Sequence, residues 1–95
     1  MEEEFSTTFW MDFTIADAFG LQAIQDTYNR AFNDWKSDYK YITDLVMVLN
    51  HKIWQWYEKN DEYAKLYDKL WWDTHEYAIS TLKDDELRYY YEITD

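Results

Sequence analysis

Apolar residues recur along most of this chain every three or four positions, the period of a one-faced helix rather than the alternation of a strand. From Leu21 to Lys36 the set Leu21, Ile24, Tyr28, Ala31, Phe32 and Trp35 shares a face, with Gln22, Asp26, Asn29, Arg30 and Asn33 opposite. From Ser37 to Lys59 the set Ile42, Leu45, Val46, Leu49, Ile53, Trp56 and Tyr57 does the same. Tyr41 to Leu49 taken alone also admits a strand, but Ile53, Trp56 and Tyr57 continue the helical phase. After Asn60 comes a fourth face of Tyr63, Leu66, Tyr67, Leu70, Thr74, Tyr77, Ala78 and Thr81. After Lys83 a short last helix carries Leu87, Tyr89, Tyr90, Tyr91 and Ile93.

The helix ends are marked as well. A first helix is expected between the Ser6-Thr7-Thr8 cluster, whose hydroxyls can cap free amides, and Gly20, the one residue that takes a left-handed C-cap without strain. Ser37 and Asp38 supply the next cap, and the acids Asp61 and Glu62, then Asp84, Asp85 and Glu86, suit the positive ends of two later helices. With one Gly, no Pro, and no repeat or linker, the chain predicts an all-α fold: a compact bundle of four to five helices forming a single domain over 1–95.

Composition adds two constraints. A chain of 95 residues buries only about 60 to 65% of its unfolded surface, so its core must be efficient. Six Trp, ten Tyr and five Phe provide that, and Trp35, Trp56, Leu70 and Tyr77 are expected in the core. The absence of Cys excludes disulfides, thiolate nucleophiles and Cys-based metal sites. The N-terminus, MEEEF, has the opposite charge from a secretory leader, and the longest aliphatic run is Leu45 to Leu49, so no membrane span is expected and the location expected is cytoplasmic.

Candidate chemistry is sparse. His75 sits beside Asp73 and Glu76, but a helical metal site needs partners three or four apart, where this chain has Trp72; His51 has no acid one turn away. Ser6, Ser37 and Ser80 have no His and acid pattern, and no Gly-rich loop is present. Neither an enzyme nor a bound metal or cofactor is expected, although carboxylates from different helices could still converge in a pocket.

Charge is the stronger signal. Twenty acids against nine bases give a net charge of −11, beyond what solubility asks of a small domain. Such a field repels nucleic acid and attracts basic protein surfaces, which excludes direct nucleic-acid binding and points to a basic partner. Some acids match bases at i,i+4, namely Asp26 with Arg30, Asp61 with Lys65, Lys69 with Asp73 and Asp84 with Arg88. Asp12, Asp17, Asp34, Asp38, Asp44, Asp68, Glu76, Asp85 and Glu86 lack an evident local partner.

Two apolar groups fall off the core faces. Trp72 and Ile79 lie amid Asp61, Glu62, Asp68, Asp73 and Glu76, and Met47 and Trp54 lie on the reverse of the third helix with His51 and Glu58. A Trp ringed by polar residues is typical of an interface hot spot. The expected partner-binding surface is therefore Asp61, Glu62, Asp68, Trp72, Asp73, Glu76, Ile79, Asp84, Asp85 and Glu86, with Met47 and Trp54 as a second surface. The competing expectation is that both helices are internal and touch neighbours on two sides.

The blocks FWMDFTIADAFG, DTYNRAFNDWKSDYKYITDLVMVLNHKIWQWYEKN, LYDKLWWDTHEYA and LRYYYEITD resemble small acidic helical proteins of unknown function carried by conjugative transposons and related mobile elements of gut bacteria. The resemblance implies a cytoplasmic accessory protein and assigns no functional residue. In size, charge and aromatic content the chain is also similar to DNA mimics that block nucleases. The expected function is an acidic interaction module of a mobile element, in its sharpest form a DNA mimic inhibiting a host defence nuclease. The alternative is a structural or regulatory homodimer in which Trp54 or Trp72 packs on its symmetry mate.

Overall fold

Four connections of one to three residues shape the molecule. In a computed structural model describing residues 7–36 and 38–94, Thr7 and Thr8 by backbone alone, five helices follow one another. They are α1 (Thr7–Phe19), α2 (Leu21–Trp35), α3 (Tyr39–Tyr57), α4 (Asp61–Thr81) and α5 (Asp85–Thr94), and no strand occurs among the described residues. Tyr41 to Leu49 is helical throughout.

Gly20 alone separates α1 from α2: its φ of 114° lies where side chains are strained, its N–H closes α1 on the Ala16 carbonyl and its carbonyl opens α2. Asp38 caps α3 by accepting from the Lys40 N–H, and Asn60 caps α4 by accepting from Glu62 and Tyr63 N–H. Asn60 is thus the cap itself and not merely a break. Ser6, Ser37 and the Thr7 and Thr8 hydroxyls expected as caps lie outside the described residues.

The central element is α3, which contacts all four other helices and packs most extensively against α4. That accounts for its burial beyond one stripe: Ile42, Thr43, Leu45, Val46, Val48, Leu49 and Lys52 are all buried. Around it, Phe9, Phe13 and Ala16 of α1, Ile24, Tyr28 and Ala31 of α2, and Tyr67 and Leu70 of α4 form the larger core. Ile42, Val46, Ala78 and Tyr90 form a smaller one under α5, and Phe32 and Trp71 pack against both. Of the residues expected inside, Leu70 is buried and Trp35, Trp56 and Tyr77 are half-buried against the core.

Two expected core residues are exposed, each at the last position of its helix. Tyr57 ends α3 and leans on Trp54, and Thr81 ends α4, where its hydroxyl turns back to the Tyr77 carbonyl. Buried tyrosines have polar ends that are met: the Tyr28 hydroxyl lies 3.0 Å from Thr74 Oγ1, linking α2 to α4, and Tyr90 lies 2.9 Å from His75 Nδ1. Burial raises the pKa of both phenols, Thr74 partly offsetting the rise for Tyr28 and Tyr91 adding to it for Tyr90.

The least expected core member is Lys52, fully buried with its ammonium 2.8 Å from Thr14 Oγ1, 3.0 Å from Asp17 Oδ2 and 4.3 Å from the Trp10 ring centroid. Asp17, expected to lack a partner, is therefore ion-paired, and its other oxygen accepts from the Tyr67 hydroxyl at 2.5 Å. Burial first and this carboxylate second push the Tyr67 pKa far up, so Tyr67 stays a donor. One polar junction thereby ties α1, α3 and α4 together.

Candidate functional site

The three-residue connection between α3 and α4 lays Asn50, Ile53, Trp54 and Tyr57 beside Asp68, Trp71 and Trp72. Between them is an open recess of about 260 Å³. One wall is the Trp54 and Tyr57 pair, centroids 5.6 Å apart; the other is Trp71 and Trp72, edge to face at 4.9 Å. Trp71 is fixed from behind, because His75 stacks on it at 4.9 Å and 10° while bonding Tyr90. His75 is in this way a packing residue. Trp54 remains 68% exposed and Trp72 51%, an unusual cost for two indoles in water.

Carboxylates edge this recess unequally. Asp68 lines it and also the adjoining cavity formed by Ile53, Tyr57, Asp61, Ala64 and Lys65. Asp61 is spent on Lys65 at 3.2 Å and Asp73 on Lys69 at 2.9 Å, both exposed i,i+4 pairs. Asp68 makes no ion pair or hydrogen bond among the described residues, so its charge is available at the mouth of the groove.

The expected surfaces are thus regrouped. Trp54 and Trp72, assigned to separate faces, line one groove because α3 and α4 are neighbours. Met47 is half-buried in another recess, against Ile93 and Thr94 of α5, so it is not part of an exposed pair with Trp54. Ile79 is exposed but lies two turns beyond Trp72, outside the groove lining. Glu62 and Glu76 are exposed on α4. Asp84, Asp85 and Glu86 are exposed beyond the C-terminal end of α4, which lies about 20 Å along that helix from Asp68 at 1.5 Å per residue.

The local charge pairs also differ from expectation. Asp26 accepts from Gln22 at 2.9 Å and forms no bridge to Arg30. Asp84, with a left-handed φ of 53°, precedes α5 and accepts the Arg88 N–H on its carbonyl at 3.0 Å, and no side-chain bridge to Arg88 occurs among the described residues. Asp38, grouped with the acids lacking a basic partner, is the α3 cap that was also expected of it. Burial, then the Asp38 charge, holds the Asp44 carboxyl above the usual range.

Among the described residues no three His, Asp or Glu side chains converge as metal ligands, and no helix is long and apolar enough to cross a membrane. Compared with protein-family models, curated proteins and solved structures, the chain matches none.

Proposed function

We propose that this protein is an interaction module that binds a basic surface of a partner protein through the α3–α4 groove. The carrying observation is the recess itself: four aromatic rings about a space of about 260 Å³, with the unpaired carboxylate of Asp68 at its mouth. Ring faces and a carboxylate together favour a cationic side chain with an apolar stem, a lysine or arginine, over a neutral or acidic group. The net charge of −11 supports fast encounter with such a surface, and the indoles of Trp54 and Trp72 supply the apolar contact that slows departure.

The narrower form of this reading is a mobile-element protein occupying the nucleic-acid channel of a nuclease in the cytoplasm. Glu76, Asp84, Asp85 and Glu86, exposed beyond the groove, would then stand where phosphates sit. In that form DNA competes with the protein for its partner.

A titration tests the groove. A basic amphipathic peptide rich in Arg and Leu is expected to shift the indole N–H resonances of Trp54 and Trp72, with affinity falling about tenfold or more between low and high salt. An acidic peptide of the same apolar pattern is expected to leave them unmoved. Equal responses to both peptides, or an affinity indifferent to salt, would overturn the reading.

A further inference from the structure

The rings that wall the α3–α4 groove are not parallel. Trp71 and Trp72 stand at 85° to one another and Trp54 and Tyr57 at 53°, so each wall is a corner rather than a flat platform. A planar guanidinium lies along one ring at a time, whereas a rounded cation set in a corner meets several rings at once. The corner of Trp71 and Trp72 is also built in advance. His75 stacks on Trp71 at 10° and stands edge to face with Trp72 at 89°, centroids 5.6 Å apart, and its Nδ1 lies 2.9 Å from the Tyr90 hydroxyl. A site already ordered loses less freedom when a ligand enters.

The same groove is poor in hydrogen-bond acceptors. Of the residues lining it, only Asn50, Tyr57 and Asp68 carry a side-chain oxygen, and an indole can only donate. A lysine ammonium brings three N–H donors and a tight hydration shell, and among these rings most of those donors would go unmet. Methyl groups on the nitrogen remove the donors, keep the charge that Asp68 and the net charge of −11 attract, and add apolar surface to lie against the indoles. At about 260 Å³ the recess falls just under the roughly 300 to 1,000 Å³ of sites that enclose whole small molecules, a size suited to one head group on a stem.

We propose that the cation this groove takes is a methylated lysine of the partner protein, its alkylated ammonium seated among Trp54, Tyr57, Trp71 and Trp72 with Asp68 beside it. The proposal rests on the reading of the groove as a site for a basic protein surface and narrows that reading to one modified side chain. Methylation of the partner then controls its binding to this chain.

Three peptides of one basic sequence test it, differing only at a central residue: lysine, trimethyllysine, or the neutral analogue with carbon in place of the quaternary nitrogen. Followed through the indole N–H resonances of Trp54, Trp71 and Trp72, the trimethyllysine peptide should bind at least about fivefold tighter than either of the others. Methylation leaves the charge unchanged, so salt should weaken the lysine and trimethyllysine peptides alike and hold their ratio within about twofold. Trp72→Ala should bring that ratio close to one, and Trp54→Ala serves if the first variant fails to fold. Equal binding of lysine and trimethyllysine, a neutral analogue as tight as trimethyllysine, a ratio that collapses in salt, or one that survives the loss of a groove Trp in a folded protein would each overturn the proposal and leave the groove's preference for a basic surface standing. Indoles unmoved by both cationic peptides would overturn the two together.

Discussion

The α3–α4 groove and the outward face of α1 both leave large hydrophobic side chains in water, yet they differ in almost every other respect. The groove is concave, walled by Trp54, Tyr57, Trp71 and Trp72, and keeps the free charge of Asp68. The α1 face is a ridge of Met11, Ile15 and Phe19 with little charge near it. Exposed apolar area alone does not distinguish partners; the placement of the surrounding carboxylates does. Asp17 does not belong to that ridge, because helical phase sets it about 200° from Ile15, on the core side of α1 where it meets Lys52.

Removing that cation is the largest way to break the comparison. Lys52→Met leaves Asp17 as a nearly buried, unpaired carboxylate and is expected to cost about 3 to 5 kcal/mol in urea unfolding. The double variant Lys52→Met with Asp17→Asn should recover much of the loss, because the charge is removed with its partner. A cost below about 1 kcal/mol for Lys52→Met would mean that Asp17 finds water once its cation is gone.

At the groove, Trp72→Ala is expected to weaken binding of the basic peptide by about 2 kcal/mol or more, roughly thirtyfold, while hardly changing the melting temperature. Calorimetric titration gives the first number and thermal unfolding the second. Unchanged affinity would remove Trp72 from the groove's contact surface.

The junction can also be weakened without removing charge. Tyr67→Phe deletes one donor to Asp17 and should cost about 1 to 2 kcal/mol, with no effect on peptide affinity. Its independence from the groove is the point of the measurement.

The smallest effect concerns Asp44. Its folded-state pKa is raised, so protonation favours the fold: the stability it contributes is fully present below the unfolded pKa and lost as pH rises through the folded one. Asp44→Asn should therefore stabilise at neutral pH by about 0.5 kcal/mol or less, the gain vanishing below about pH 4. Paired melting curves across that range read it directly.

The parts legible from sequence were those whose meaning is local. Apolar spacing gave α2, α3 and α4, and Asp38 and Asn60 lie at the caps because capping depends on amides two or three residues away. Lys52 continues the spacing of Leu45, Leu49 and Trp56, a signal that was present but sat under a charged residue ordinarily read as solvent-facing. The α1 stripe escaped for the opposite reason: a helix apolar on both sides does not say which side is inward. Pairing Trp54 with Trp72 required knowing that α3 and α4 are neighbours in space, and the partner of Asp17 required knowing where the Lys52 ammonium ends.

The polar junction also sets an order in time. A single glycine joins α1 to α2 and three residues join α3 to α4, so each hairpin can zip through nearby contacts on a fast timescale. Asp17 reaches Lys52 across 35 residues and Tyr67 across 50, which requires the two hairpins to have docked. Loss of the Tyr67 hydroxyl should then appear chiefly as faster unfolding, with refolding almost unchanged, making this carboxylate the clasp that fastens after the chain has found its shape.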